Sequence, residues 1–235
     1  MLTTCVLLYG DYPHLADRCL SSLEGYIHQI GDLRIGMNAC SERTRALVSD
    51  FASIYHEVLV ESSDENICKY PMMRRLIDAK PLDTYMAWFD DDSFVRDSGW
   101  YALVESVLSR GVDMVGAVYK QAFRGGQADW VEDQPWYTGE PVRDGYVPKF
   151  CTGGFWVIRS QILLDNNWPP PVLKHRGGDV MLGELLRQQG FQLTNNRLGV
   201  AINADAEGRE SKSPRRGYDE TWLGVNYVRS KSPGT

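Results

Sequence analysis

The chain has 235 residues, 43% hydrophobic, 24% charged and 11% aromatic, enough for one large α/β domain or two halves sharing a core. Its net charge of −6 and pI near 5.3 disfavour capture of nucleic acid by the whole surface, and the composition excludes disorder, collagen and a disulfide miniprotein. No apolar run reaches membrane-spanning length, and the first apolar stretch breaks at Gly10-Asp11-Tyr12-Pro13 without a basic leader, so a soluble, cytoplasmic protein is expected.

Five scattered cysteines (Cys5, Cys19, Cys40, Cys68, Cys151), never in a CxxC pair, suit neither a disulfide framework nor a structural zinc site. Cys5–Tyr9 is a short apolar run closed by Gly-Asp, as in a strand buried on both faces. Leu15, Cys19, Leu20, Leu23 and Ile27 recur at helical spacing, with Gly31 as the stop. Residues 33–38 and Val58–Val60 read as strands around a helix running from Ser41 to about Ala52. A helix over 72–79 stops near Pro81, and the strand-like run Thr84–Phe89 ends in Asp90-Asp91-Asp92. A helix over Trp100–Ser109 and a strand over Asp113–Tyr119 follow. This alternation predicts a mostly parallel, Rossmann-like sheet with helices on both faces.

From Phe123 to Phe150 the pattern dissolves into Gly, Pro, Asp and Trp, which reads as a functional loop. A strand at Cys151–Ile158, helices at Ser160–Asn166 and Asp179–Gln189, and strands at Gln192–Asn195 and Leu198–Asn203 complete the series. From Ala204 the chain is a polar tail.

Three successive acids at the end of a hydrophobic strand repel one another and lose hydration. A divalent cation relieves both costs, because hard oxygen ligands suit Mg²⁺ or Mn²⁺. In an extended chain Asp90 and Asp92 address one side and Asp91 the other, so the outer pair is expected to share a ligand while Asp91 pins the turn. The alternative is a solvated acidic turn in which Asp92 caps the next helix.

Together with two later segments, these acids resemble the GT-A glycosyltransferases, of family-2-like and Fringe-like type, whose DxD acids hold a cation against the donor diphosphate. Tyr146–Ser160 is similar to the segment with a Gly pair beside the sugar pocket, and Gly178–Leu186 to the segment supplying the catalytic base. The resemblance covers about residues 3–205. It implies a GT-A domain over 1–205, with a nucleotide-binding half (1–112) and an acceptor half (113–205), followed by the tail 206–235.

The resemblance further implies inverting transfer of a sugar from a nucleotide-diphosphate donor, UDP-linked by preference, to a hydroxyl, with Mn²⁺ or Mg²⁺ as cofactor. Asp179 would be the base, Asp92 with Asp90 the metal ligands, and Asp90 and Asp91 donor contacts. Gly153 and Gly154 would flank the sugar, and Tyr9, Asp11 and Asn38 would hold base and ribose. Lys69 and Arg74 either reach base or phosphate or form a solvated basic face. Many members add a late histidine ligand, but none follows His175 here; Asn203 or Asp205 stands near that place. Trp130 and Trp136 are candidate sugar-stacking surfaces or core.

Arg209, Arg215 and Arg216 belong to a basic patch that would close over the diphosphate, meet an anionic acceptor such as DNA, or remain solvated. The acceptor is left between a hydroxymethylated DNA base and a glycan. Two rival classes stand beside this reading: a noncatalytic nucleotide or sugar binder, and a metal-dependent phosphatase or nucleotidyltransferase.

Overall fold

The computed structural model describes residues 2–55, 57–123, 126–142, 146–175 and 177–202. In chain order the elements are β1 (Leu2–Tyr9), α1 (Pro13–Glu24), α2 (Ile27–Ile30), β2 (Gly31–Asn38), α3 (Glu42–Ile54), β3 (Leu59–Ser63) and α4 (Lys69–Asp78). They continue with β4 (Tyr85–Asp90), β5 (Phe94–Val95), α5 (Trp100–Leu108), β6 (Met114–Lys120), α6 (Gln127–Glu132) and β7 (Lys149–Arg159). The last are α7 (Ser160–Asp165), α8 (Gly178–Gln188), β8 (Leu193–Asn195) and β9 (Val200–Ala201).

Seven strands form one sheet in the order β3-β2-β1-β4-β7-β6-β8. β3, β2, β1 and β4 are parallel neighbours, as are β6 and β8; β7 alone runs antiparallel, between β4 and β6. The expected mostly parallel sheet is thus present. β1 is flanked by β2 on one side and β4 on the other, so the connections diverge there and open a crevice beyond the carboxyl ends of β1 and β4.

Side chains alternate between the two faces of each strand. Cys5, Leu7, Met86 and Trp88 join the core cluster with α4, α7 and α8, while Val6, Leu8, Ala87 and Phe89 join the cluster with α1, α3 and α5. Period two therefore assigns Asp90 to the face of Trp88, beneath α4.

Three sequence expectations change. The helix anticipated through Ile27 divides into α1 and α2 around Gly25 and Tyr26. The stretch 123–150 contains α6, a helix too short for its periodicity to register. Trp130 and Trp136 are core residues rather than stacking surfaces, buried to 3% and 5% exposure and packed edge to face at 6.1 Å. An aromatic ring lowers its free energy more by leaving water in a core than by waiting at a surface.

Between β6 and β7 the pairing jumps from Gly116↔Trp156 to Val118↔Cys151. Residues 152–155 of β7 thus lie opposite Ala117 alone, and this bulge carries Gly153 and Gly154. Bulges re-aim backbone and side chains beside sites.

Arg34 of β2, fully buried, locks α4 in place from below. Its Nε and Nη2 donate to Asp32 Oδ2 at 3.0 and 2.7 Å, and its other protons go to the carbonyls of Leu76, Lys80 and Pro81 at 2.5, 2.9 and 2.6 Å. A cation is thereby matched to the open carbonyls at a helix C-terminus. Burial pushes the Asp32 carboxyl up, but hydrogen bonds from Arg34 and Lys80 outweigh it and hold it below the usual carboxylate range.

Arg34→Met leaves Asp32 with Lys80 as its remaining cation and takes the donors from the carbonyls of Leu76, Lys80 and Pro81, and is expected to cost about 3–5 kcal/mol. At roughly 2–4 °C per kcal/mol for a chain of this size, calorimetry should show a Tm lower by roughly 6–20 °C. A depressed carboxyl pKa stabilises the fold above the unfolded pKa and loses that contribution as pH falls. The gap between parent and variant should therefore narrow below about pH 4; an equal Tm at neutral pH would show that Arg34 is dispensable.

Candidate functional site

β4 runs into its acids through a turn rather than an extended segment. The Ser93 N–H donates to the Asp90 carbonyl at 2.9 Å, so strict alternation of Asp90, Asp91 and Asp92 does not hold. Asp91 and Asp92 are buried, to 4% and 7% exposure, whereas the Asp90 side chain is 25% exposed. Charge on Asp91 and Asp92 acts on Cys19 of α1, whose thiol is pushed up first by burial and then by those acids. Asp92 does not cap the next helix: α5 begins at Trp100 with Gly99 at its N-cap.

Asp90 is held from two sides. Trp88 Nε1 donates to Oδ1 at 2.8 Å, and Lys69 Nζ, at the first residue of α4, donates to Oδ2 at 3.0 Å. Lys69 is itself buried, stands 5.6 Å over the Trp88 ring, and also donates to the Gly153 carbonyl at 2.7 Å. Burial lowers the affinity of this amine for its proton, but Asp90 and then Asp179 outweigh it and hold the ammonium form.

The next residue, Tyr70, turns its hydroxyl to Asp179 and donates to Oδ1 at 2.9 Å. Asp179 lies in the first turn of α8, after Gly177 at φ +76° and Gly178. Burial raises its pKa above the ordinary carboxyl value; Asp90 adds to the rise, while Lys69, Tyr70 and the Gly153 N–H oppose it.

Two glycines make these contacts possible. A Cβ on Gly153 would stand 2.5 Å from Lys69 Nζ and 2.6 Å from Asp179 Oδ2, and one on Gly178 would stand 2.1 Å from Tyr70 Cζ. Gly153 is the point where the bulge of β7 reaches both α4 and α8. Gly154 follows it, buried, in the same bulge.

The residues expected to hold the nucleotide are partly assembled. Asn38, at the end of β2, donates from Nδ2 to Asn66 Oδ1 at 3.0 Å and accepts from the Ile67 N–H at 2.9 Å. Asn66 Nδ2 is 3.5 Å from Tyr9 Oη, and Asp11 is exposed just beyond β1. Asn66 also accepts from the Cys68 N–H at 2.9 Å, where the backbone takes φ +72° and delivers Lys69 into the crevice.

Arg74 is not part of this group, correcting one of its two expected roles. It donates to the Pro169 carbonyl and Asn167 Oδ1, both at 2.8 Å, and pairs with Asp78. Five residues beyond Lys69 lies about 140° around the helix, so the two cations of α4 serve different faces.

The stretch expected as a functional loop is laid along α8. The Thr138 N–H donates to Gln188 Oε1 at 3.1 Å, Gln188 Nε2 to the Glu140 carbonyl at 2.9 Å, and the Arg187 guanidinium covers the Tyr146 ring at 4.7 Å. Asn203, Asp205, Arg209, Arg215 and Arg216 lie outside the described residues. Among the described residues no three His, Cys, Asp or Glu side chains converge as a metal site, and no helix is long and apolar enough to cross a membrane.

Tyr70 and Asn66 were not singled out from the sequence. No spacing rule marks either one, because each acquires its role from a residue far away in the chain.

No family model matches the sequence, and no curated protein does. Solved structures match the fold. GalNAc-T7, with UDP, GalNAc and Mn²⁺, aligns over 95% of this chain and 47% of its own at 12% identity and a TM-score of 0.69. The mannosyltransferase PcManGT from Pyrobaculum calidifontis, with GDP-Man and Mn²⁺, aligns over 83% of this chain and 54% of its own at 12% identity and 0.58. A Bacillus anthracis structure assigned as a glucose-1-phosphate thymidylyltransferase aligns over 84% and 87% at 12% identity and 0.53. The chain spans about half the length of the first two. Its architecture is the GT-A fold of nucleotide-sugar glycosyltransferases.

Gly153→Ala should force Lys69, Asp179 or the bulge to move and cost about 1–3 kcal/mol, as overpacking does. Gly25→Ala is the control, since a Cβ there meets nothing within 4 Å. Thermal melts should separate the two variants by several degrees; equal melts would mean that the crevice accommodates a methyl at Gly153.

Proposed function

We propose that the protein is a glycosyltransferase that moves a sugar from a nucleoside-diphosphate donor to a hydroxyl acceptor in one inverting displacement. The observation that carries this reading is the carboxylate of Asp179, fixed by Tyr70, packed against Gly153 and separated by Lys69 from the acid-closed end of β4. That is the arrangement of a base facing a donor site, at the sheet crevice where open α/β folds take their ligands. The fold neighbours holding GDP-Man or UDP with Mn²⁺ support the donor class.

In this mechanism the acceptor oxygen attacks the anomeric carbon and its proton passes to Asp179, while the bond to the diphosphate breaks and its electron pair leaves with the diphosphate. One carboxylate suffices, with no covalent intermediate. The raised pKa of Asp179 strengthens it as a base. Tyr9, Asp11 and Asn38, with Asn66, are assigned to the base and ribose, Asp91 to the donor side, and Gly153 and Gly154 to close approach of the sugar.

The acids beside β4 offer hard oxygens that suit Mn²⁺ or Mg²⁺. Asp90 is engaged by Trp88 and Lys69, so the cation is assigned first to Asp92, with Asp90 contributing charge and Asp205 as a further oxygen. When bound, the ion would stabilise negative charge on the departing diphosphate. The acceptor is a hydroxyl of a glycan or of a hydroxymethylated DNA base; the net charge of −6 opposes DNA, and the basic patch at Arg209–Arg216 favours it.

Asp179→Asn should bind UDP like the parent and lose transfer by about 10²-fold or more, measured as nucleotide release from a panel of nucleotide sugars. A rate within about threefold of the parent would remove Asp179 as base. Because folding raises its pKa, the ionised carboxyl is a cost to stability at neutral pH, so the same variant should melt no lower than the parent. Asp90, Lys69, Tyr70 and Cys151 surround this carboxyl; with Asp179 required as carboxylate, turnover should fall on acidification with a midpoint above about pH 4.

Asp92→Ala should abolish the Mn²⁺-dependent rise in Tm with UDP; an unchanged rise would remove Asp92 from the metal site. Turnover of nucleoside triphosphates without sugar would favour the nucleotidyltransferase reading. Biological activity untouched by Asp179→Asn would favour the noncatalytic binder.

A further inference from the structure

Lys69 and Tyr70 are neighbours in the first turn of α4, yet they grip different acids. Lys69 takes Asp90 Oδ2 at 3.0 Å and Tyr70 takes Asp179 Oδ1 at 2.9 Å. Gly153 closes the figure: its carbonyl accepts from Lys69 at 2.7 Å, and it packs so closely on Asp179 that a Cβ there would fall 2.6 Å from Oδ2. We propose that Lys69 and Tyr70 are positioning residues which fix the donor-side acid and the base at one separation, so that neither acid moves without the other. This inference rests on the glycosyltransferase reading and adds to it how the site is aligned.

Both side chains are built to hold rather than to bind. Asp90 Oδ2 and the Gly153 carbonyl, which accept from the Lys69 ammonium, belong to the protein, and the residue is only 7% exposed. Such burial suits a tie between elements better than a contact to a phosphate arriving from solvent. The Tyr70 ring is wedged against Gly178 on one side and meets Trp168 edge to face at 6.5 Å on another, so the hydroxyl cannot swing away from Asp179.

The helix that carries both is anchored at each end. The Tyr70 N–H donates to the Lys174 carbonyl at 3.0 Å, and Arg34 holds the carbonyls at the far terminus. Reacting groups lose about 10²-fold in rate when misplaced by about 1 Å, and a rigid support of this kind prevents that displacement.

The experiment compares parent, Tyr70→Phe, Lys69→Met and Lys69→Arg on the nucleotide sugar that the parent turns over best, reading kcat, donor KM and Tm. Tyr70→Phe keeps the ring and deletes one hydrogen bond; kcat should fall about tenfold or more while donor KM stays within about threefold. Lys69→Met should lower kcat by a larger factor and raise donor KM, and Lys69→Arg should recover part of the loss.

Parental kcat in Tyr70→Phe overturns the proposal, as does Lys69→Arg performing no better than Lys69→Met. If Lys69→Met does not fold, Tyr70→Phe and Lys69→Arg still decide the matter. A parent that turns over no nucleotide sugar overturns the glycosyltransferase reading and this inference together, whereas parental turnover with unchanged variants overturns this inference alone.

Discussion

The ammonium of Lys69, enclosed between the Asp90 carboxylate and the Gly153 carbonyl, is the contact on which the rest of the crevice depends. A buried ammonium costs several kcal/mol unless its charge and protons are matched. Matching them requires α4, the end of β4 and the bulge of β7 to meet at one point. Remove the lysine and Asp90 faces Asp179 with no cation between them; add a side chain at Gly153 and the lysine loses its place. At its far end the same helix is anchored by Arg34.

The sheet supplies the rest. β7 enters antiparallel between β4 and β6, so its chain passes the carboxyl end of β4 partway along its length. Residues 152–155, which face Ala117 alone, fall at that level, and at Gly153 they bring backbone rather than a side chain to Lys69 and Asp179. Any side chain at Gly153 would project a Cβ into the space the two charged groups occupy. A glycine within that irregular stretch is thus what allows two acids and a lysine to share a small volume. Asp179 carries a related cost, since a carboxyl whose pKa is raised on folding destabilises the neutral-pH fold in exchange for basicity.

Much of the architecture was legible in the sequence, because strands buried on both faces announce themselves as apolar runs and helices by their periodicity. The runs around Cys5–Tyr9 and Thr84–Phe89 became β1 and β4, and the acids after the second run lie at the crevice. Less legible was the turn: alternation predicts where Asp90 and Asp92 point only while the chain stays extended, and the Ser93–Asp90 hydrogen bond ends that condition. Trp130 and Trp136 misled for the opposite reason, since a stretch without periodicity can still be packed. Lys69 drew notice as a cation, but its partners lie 21 and 84 residues away, and Tyr70 reaches across 109. Spacing rules act over a turn or a strand; such pairings belong to topology.

On the proposed function, the crevice between the end of β4 and Asp179 receives a nucleotide sugar. The most direct test is a crystal structure with Mn²⁺ and a non-transferable UDP-sugar analogue. A diphosphate is expected beyond the carboxyl ends of β1 and β4, with a cation against Asp92 and the sugar beside Gly153 and Gly154, its anomeric carbon turned toward the Asp179 side. An analogue bound elsewhere on the protein, or a crevice left empty at saturating ligand, would contradict it.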